Sequence, residues 1–342
     1  MKILVTGGTG YIGSHTVVEL QQQNHEVLIA DNLSNSHQEV VDQIAAITGK
    51  TPGFEQIDLS DSGAASAFFK RHQDIHAIIH FAAFKAVGES VKQPAKYYRN
   101  NLVSLLNILE AMKKHGIPSL VFSSSCTVYG EPDILPVSEE APIKPATSPY
   151  GNTKQISEEI IRDVAKTGGI EAILLRYFNP IGAHESARIG ELPIGIPNNL
   201  VPFITQTAAG IRPQLNVFGD DYDTPDGTAI RDYIHVVDLA RAHIAAVNRL
   251  TNHHHSEKTE TFNIGTGRGY SVLEVITAFE KTTGIKLNYR ITARREGDVP
   301  KVWAETSQAN QALGWKAEKT IEEMMFSAWQ WQLHLKKQNQ KH

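Results

Sequence analysis

Short apolar runs alternate with amphipathic segments through the first half of the chain. Lys2–Thr6, Glu26–Ala30, Phe54–Leu59, Ala77–Phe81, Ser119–Phe122 and Ala172–Phe178 are runs of four to seven residues, the length of buried strands. Between them, apolar residues recur at helical spacing. The sets are Val17, Val18 and Leu20; Val40–Ile47; Ala64–Lys70; and Leu102, Leu105, Leu106 and Leu109 within Asn101–Lys114. Gly116 and Pro118 stop the last of these. Ile156, Ile160, Ile161 and Val164 mark another helix, closed by Gly168-Gly169. Strands separated by helices in this order predict an α/β fold with a right-handed, parallel, doubly wound sheet. After Asn179-Pro180 the rhythm changes. Residues 181–230, rich in Gly, Pro, Asn and Asp, predict long loops around a pocket. Helices are expected near Leu200–Ala209, Val236–Leu250, Val272–Thr282 and Met324–Lys336, with strands at Leu215–Phe218 and Thr261–Ile264.

Composition narrows the classes. At 342 residues, 41% hydrophobic and 20% charged, the chain is globular, with room for one large or two ordinary domains. A net charge of -4 gives no footprint for nucleic acid. No apolar run approaches a membrane span, and Met1-Lys2 leads straight into a strand without a signal-like segment, which suits a cytoplasmic protein. The single cysteine, Cys126, excludes an internal disulfide and a cysteine metal cluster. His253-His254-His255 sits in a polar loop with no acidic or cysteine partner nearby in sequence, so it reads as solvated loop and no metal is expected.

Candidate chemistry collects at the predicted strand ends. Gly7, Gly10 and Gly13 follow the first strand and open a helix. Such glycines allow a tight turn, a close approach to a pyrophosphate and close helix–strand packing, with the helix N-terminus facing the phosphate. Asp31 ends the second strand, where a carboxylate accepts from both adenosine ribose hydroxyls and repels a 2′-phosphate, favouring NAD over NADP. Asp58 ends the third strand near where adenine would lie. Ala82-Ala83 admits a cofactor backbone, and Lys85 either reaches a ribose or phosphate or is simply exposed. Ser125 closes the run that begins at Ser119. Ser148, Pro149 and Tyr150 read as N-cap, N1 and N2 of a helix, so Tyr150 and Lys154 share one helical face. A tyrosine ordinarily holds its proton to pH ~10; a neighbouring ammonium favours the phenolate and makes it a usable base.

Taken together, Thr6–Gly13, Asp31-Asn32-Leu33, Ser123–Gly130, Ser148-Pro149-Tyr150 with Lys154, Arg176–Gly182, Pro197–Leu200, Arg231–Asp238 and Arg294–Asp298 resemble the extended short-chain dehydrogenases. Within them they resemble the UDP-hexose 4-epimerases, over essentially the whole chain. The resemblance implies a Rossmann-type NAD-binding domain over 1–180 and a smaller α/β UDP-sugar domain over 181–342, with segments near 236–265 packing back on the first sheet. It implies a catalytic triad of Ser125, Tyr150 and Lys154. NAD contacts are implied at Gly7, Gly10, Tyr11, Ile12, Gly13, Asp31, Asn32, Asp58, Leu59, Phe81, Lys85, Asn100 and Phe178. UDP-sugar contacts are implied at Asn179, Asn199, Leu200, Phe218, Arg231, Arg295 and Asp298. Arginine forks suit a diphosphate and an aromatic face suits uracil; taken singly, Arg231 and Arg295 read as surface ion-pair partners of Asp232 or Glu296. The implied activity is reversible inversion at C4 of a UDP-hexose in galactose metabolism, by a homodimer that pairs the Asn101 and Tyr150 helices.

Two other readings share these residues. A nucleotide-sugar 4,6-dehydratase resembles Thr-Asp-Glu where this chain has Ser125-Cys126-Thr127, and neither Cys126 nor Thr127 replaces a carboxylate pair. A silent NAD-binding scaffold would be expected to lack the base, and Tyr150 and Lys154 are both present. Cys126 reads as a small packed residue rather than a nucleophile. Val302 falls where the family places a gate to the sugar pocket. Members restricted to plain hexoses resemble a tyrosine there, and those accepting N-acetylated sugars carry a smaller residue, so valine implies acceptance of UDP-N-acetylhexosamines. The other reading makes Val302 only a wall residue.

Overall fold

A computed structural model of the chain describes residues 1–295 and 298–339. Glu296 and Gly297, within the Arg294–Asp298 stretch, lie outside the described residues. The first half runs β1 (Lys2–Thr6), α1 (Tyr11–Gln22), β2 (Glu26–Asp31), α2 (Glu39–Thr48), β3 (Gly53–Gln56), α3 (Ser62–Arg71) and β4 (Ala77–His80). Next come α4 (Val87–Lys92), α5 (Pro94–His115), β5 (Ser119–Ser125), a 3-10 turn (Cys126–Tyr129), α6 (Pro149–Lys166) and β6 (Glu171–Tyr177). The rest is β7 (Asn179–Ile181), α7 (Leu200–Ala208), β8 (Leu215–Phe218), β9 (Ile230–His235), α8 (Val236–Thr251) and β10 (Thr259–Ile264). It closes with β11 (Gly269–Ser271), α9 (Val272–Thr283), β12 (Tyr289–Thr292), β13 (Lys301–Val302), α10 (Ser307–Leu313) and α11 (Ile321–Asn339).

Seven strands form one sheet in the order β10-β6-β5-β4-β1-β2-β3, and each adjacent pair is parallel. Both faces are covered, which is why the strands are continuous apolar runs rather than alternating ones. In β1, Ile3 and Val5 face α1, α2 and α8 through Val17, Val18, Leu20, Ile44, Leu239 and Val247. Leu4 faces the other way, with Phe68 and Phe69 of α3, Leu105, Ile108 and Leu109 of α5 and Ile161 of α6. The chain reverses direction in strand order between β1 and β4, the position at which doubly wound sheets open a crevice for ligands. A second set of strands, β11-β9-β13 with β7 on β9, and the pair β12-β8, packs with α7, α9 and α11 around Ile204, Val217, Phe279 and Met325.

Several elements differ from the sequence expectation. The helix expected from Asn101 begins at Pro94, because Pro takes the first helical position and the polar turn that follows carries no apolar stripe to announce it. Inside that turn Tyr97 is fully buried and its hydroxyl donates to Glu89 Oε2 at 2.7 Å. The third strand ends at Gln56 rather than Leu59. Asp58 leaves the sheet because its Oδ1 accepts from Ser60 N at 2.8 Å, a local turn that competes with the ladder. The short strands β7, β9, β11 and β13 have too few residues for a period to show, and they depend on one another for pairing. Among the described residues no helix is long and apolar enough to cross a membrane.

Candidate active site

The crevice begins at the β1–α1 turn. Gly7 has φ +71°, and a Cβ there would stand 2.8 Å from Ala82 N in the β4 loop. A Cβ on Gly13 would stand 2.2 Å from the Gly7 carbonyl oxygen, so α1 can start directly over the turn only with glycine there. Gly10 is the N-cap and offers no side-chain cap, which leaves the first N–H groups of α1, at Tyr11, Ile12 and Gly13, facing a half-exposed space. Asp31 is buried: Oδ2 accepts from Thr9 N at 3.1 Å and Oδ1 from Leu33 N at 2.9 Å. An uncapped, glycine-lined helix start with a carboxylate on the next strand has the donor set and the close backbone approach that a dinucleotide requires. Asn32 Oδ1 accepts from Ser34 N at 3.0 Å. Leu59 is buried, and the Phe81 ring lies tilted against His243 with ring centroids 4.6 Å apart.

Other candidates are placed less directly. Asp58 is exposed. Lys85 is exposed too, with Nζ 3.6 Å from Glu191 Oε1 and 6.0 Å from the Tyr11 ring centroid. The Tyr11 hydroxyl reaches into the second half and donates to Gly182 O at 2.7 Å. Asn100 Nδ2 donates to Asn101 Oδ1 at 2.9 Å. Asn101, not a candidate from the sequence, clamps the β4–α4 loop to α6. Its Oδ1 accepts from Phe84 N at 2.9 Å, and its Nδ2 donates to Phe84 O and to Thr153 Oγ1, both at 3.1 Å. The available signal was an amide on the same stripe as Leu105 and Leu109.

At the carboxyl end of β5, Ser125 is buried beside the start of α6. The Ser148 hydroxyl caps that helix, accepting from Gly151 N at 3.1 Å, as the Ser-Pro-Tyr order predicts. Tyr150 is half-exposed, yet the surrounding protein desolvates its phenol and pushes it up to about 12; the Ser125 hydroxyl pulls against that as a hydrogen-bond partner. Lys154 is buried. Its ammonium donates to the Ser123 carbonyl and lies 4.7 Å from the Phe122 ring centroid. Burial lowers it to about 7, with Glu158 opposing. At Tyr150 the Ser125 hydroxyl supplies the lowering and burial outweighs it, while the Lys154 side chain is turned to the Ser123 carbonyl. The Cys126 thiol is pushed up to about 12 by burial, which leaves it protonated and unreactive. Phe178 and Val302 are buried in one cluster with Val128, Tyr129 and Ala304, and Cys126 packs against it.

Further from the sheet, the Asp298 carboxylate gathers two arginines. Arg295 donates to its Oδ1 at 2.7 Å, and the nearest Arg231 nitrogen lies 3.9 Å away. Arg231 is paired through β9 with Val302 of β13, and Arg295 stands 5.9 Å from the ring centroid of the exposed Phe218. Asp232 is not an ion-pair partner of Arg231. It is fully buried and accepts from Thr266 N and Oγ1, Gly267 N and Ala304 N at 2.7 to 3.2 Å. Asn179 starts β7, half-exposed, immediately after Phe178. Asn199 is the N-cap of α7, next to half-buried Leu200, and donates to Glu191 Oε1 at 2.6 Å. Glu191 thus touches one residue expected on the cofactor side, Lys85, and one expected on the sugar side, Asn199. Among the described residues no group of three His, Cys, Asp or Glu side chains could hold a metal ion. His255 Nε2 instead lies 2.9 Å from Glu171, a partner distant in sequence.

The model of the NAD dependent epimerase/dehydratase family matches residues 3–265. A UDP-glucose 4-epimerase of Bacillus subtilis is 50% identical over 333 residues, covering 97% of each chain. A UDP-glucose 4-epimerase structure from Stenotrophomonas maltophila, with bound NAD and formylated UDP-arabinopyranose, superposes with a TM-score of 0.95 at 49% identity and covers 99% of each chain. One from Bifidobacterium longum, in complex with NAD+ and UDP, gives a TM-score of 0.93 at 47% identity over 98% of each chain.

The Gly7–Gly13 contact yields a direct test. Gly13→Ala forces α1 away from the turn, so the purified variant should carry far less dinucleotide than the parent while keeping its far-UV circular dichroism. Nucleotide released by acid and quantified by chromatography reads this; equal content in both proteins would disprove the cradle.

Proposed function

The chain belongs to the NAD dependent epimerase/dehydratase family, and on that premise we propose that it reversibly inverts C4 of UDP-glucose and UDP-galactose through a transient 4-keto sugar, a step of galactose metabolism. The observation that carries this reading is the meeting of Ser125, Tyr150 and Lys154 at the carboxyl edge of the sheet, with the glycine-lined start of α1 at the same edge. When bound, NAD supplies the hydride acceptor and a cationic ring whose charge offsets the burial that holds the Tyr150 phenol near 12. The first turn of α1 and Asp31 hold the dinucleotide. Tyr150 takes the proton from the sugar 4-hydroxyl, Ser125 donates a hydrogen bond to the same oxygen, and the Lys154 ammonium favours the phenolate. Arg231 and Arg295 hold the diphosphate, Phe218 lies beside uracil, and Asn179 and Asn199 offer neutral amides. Few contacts need hold the hexose itself, because one pocket must accept both of its faces; the nucleotide supplies the anchoring energy. A dehydratase would need a carboxylate pair beside Ser125, where Cys126 and Thr127 stand.

Purified protein given UDP-galactose without added NAD should form UDP-glucose with no loss of water; absence of conversion overturns the reading. Tyr150→Phe keeps the ring and removes the acceptor, so kcat should fall by about 10²–10⁴ while UDP still binds. An unchanged kcat removes Tyr150 from the mechanism.

Val302 supports a wider substrate range. It is 8% exposed, packs in the cluster that contains Phe178, and lies on β13 opposite Arg231 of β9. A valine leaves space that a larger side chain would fill, and apolar pockets discriminate small steric differences by about 1–3 kcal/mol. The enzyme should therefore turn over UDP-N-acetylglucosamine and UDP-N-acetylgalactosamine as well. Val302→Tyr should lose that activity and keep the hexose activity; kcat/KM for both pairs decides, and a parent inactive on the acetylated pair ends the idea.

A homodimer pairing α5 and α6 completes the reading. Val87, Val91 and Leu106 are 47, 61 and 41% exposed on α4 and α5, an apolar surface that a second copy would cover. Light scattering at micromolar concentration should give twice the chain mass, and a monomer mass would refute the pairing.

A further inference from the structure

We propose that Glu158 is a positioning residue for the triad, fixing the Ser123–Ser125 end of β5 and the charge state of Lys154 with one carboxylate. Glu158 lies one turn after Lys154 on α6 and is 2% exposed. Its Oε1 accepts from Ser124 Oγ at 2.6 Å and from Arg176 Nε at 2.9 Å; its Oε2 accepts from Arg176 Nη2 at 2.6 Å and Arg162 Nη2 at 2.9 Å. Four donors fill the capacity of a carboxylate. Ser124 stands between Ser123, whose carbonyl accepts from Lys154, and Ser125, so the carboxylate holds the peptide that carries both contacts. Arg176 extends the link. It donates to the Tyr129 hydroxyl at 3.0 Å, with the guanidinium 4.8 Å from that ring's centroid. Tyr129 in turn donates to Asn263 Oδ1 at 2.7 Å. The chain from Ser124 to Asn263 thereby joins β5, α6, β6, the turn after Ser125 and β10 in one hydrogen-bonded network.

Lys154 faces the neutral, buried His80 from β4 and the Phe122 ring and Ser123 carbonyl from β5, with Glu158 one turn on along its own helix. Burial disfavours its ammonium, and Glu158 is the group that favours it. Replacing Glu158 with a neutral residue removes that support and leaves Arg176 and Arg162 as uncompensated cations nearby. The ammonium must then be lost at lower pH. If stability alone were served, apolar residues could fill this space as well. A carboxylate here gives the buried lysine a counter-charge that does not itself reach the substrate.

The inference rests on the proposed role of the Lys154 ammonium in favouring the Tyr150 phenolate. The test is the pH profile of kcat for UDP-galactose in the parent, Glu158→Gln, Glu158→Asp and Ser124→Ala. In parallel, Lys154 is titrated by NMR in protein labelled at lysine 13Cε, its signal assigned by loss in Lys154→Met. Glu158→Gln should move the alkaline limb of kcat and the Lys154 titration down by about 1 pH unit or more, with KM little changed. Glu158→Asp should restore both, and Ser124→Ala should lower kcat without moving the limb. An unmoved Lys154 titration in Glu158→Gln overturns the proposal, as does an equal drop in kcat at every pH. Should the single variant not fold, Glu158→Gln/Arg176→Gln removes the carboxylate together with its buried cation; the Lys154 titration should still move down, by a smaller amount because a cation leaves too, and an unmoved titration overturns the proposal. A parent that does not convert UDP-galactose would refute the proposed reaction, and the NMR titration would still decide the Glu158–Lys154 coupling.

Discussion

Everything at the carboxyl edge of the sheet depends on how closely α1 approaches the end of β1. With a Cβ on Gly13, the helix would overlap the Gly7 carbonyl at 2.2 Å and would have to lift off the sheet. Without it, the unsatisfied N–H groups of the first turn open onto the gap between β1 and β4, beside Ala82 and Phe81. That gap is itself fixed by polar contacts. Thr6 Oγ1 and His80 Nδ1 lie 2.7 Å apart across it, and Ala82 N donates to Thr6 Oγ1 at 3.3 Å. Asp31 then ties the glycine turn to β2 through Thr9. The crevice is a consequence of backbone approach, and the anion-binding character follows from the helix end it exposes.

Burial sets opposite conditions on the two titratable members of the triad. It raises the Tyr150 phenol and lowers the Lys154 ammonium, so each is shifted toward its neutral form. The proposed chemistry needs both charged forms. Their electrostatic support comes from fixed groups: the Ser125 hydroxyl for the tyrosine and Glu158 for the lysine. The backbone that carries these groups is held by local devices, the Ser148 cap on α6 and the Asn101 clamp on the β4–α4 loop. Dipoles and charges held in place before the substrate arrives need no rearrangement when charge develops, which is the main way such sites lower a barrier.

Much of the site was legible because it depends on local rules. The Ser148-Pro149-Tyr150 order specifies a cap and first turn, and the structure has them. Gly7 and Gly13 sit where the spacing demands, since a Cβ at either would collide with backbone atoms. The parallel strands were visible because burial on both faces makes them uninterrupted apolar runs. What escaped depended on partners far away in sequence. Asn101 and Glu158 are polar residues on the inward stripes of helices, and their meaning comes from Phe84, Thr153, Ser124 and Arg176. Glu191 carries no motif, yet it meets both Lys85 and Asn199. The lowering of Tyr150 by Lys154 was argued from shared helical face alone. The Lys154 side chain also turns inward to the Ser123 carbonyl, a contact between elements that spacing on one helix cannot reveal.

The molecule uses the same chemical pair, arginine on a carboxylate, for two opposite purposes, and exposure separates them. At Glu158 and Arg176 the side chains are 3 and 4% exposed, and the pair is bidentate. Breaking such a pair strands a buried charge and costs several kcal/mol, so it stays closed through any ligand cycle and can hold a position. At Asp298 and Arg295 the side chains are 17 and 55% exposed and joined through a single carboxylate oxygen. An exposed pair contributes about 0–1 kcal/mol, so under the proposed function a diphosphate that forks onto the same guanidinium would displace the carboxylate at little cost. Before that, Asp298 keeps Arg231 and Arg295 within reach of one point and limits their repulsion. A site that must bind and release a nucleotide sugar in both directions is better served by a partner that yields. A site that must keep a serine, a tyrosine and a lysine in register is better served by one that does not.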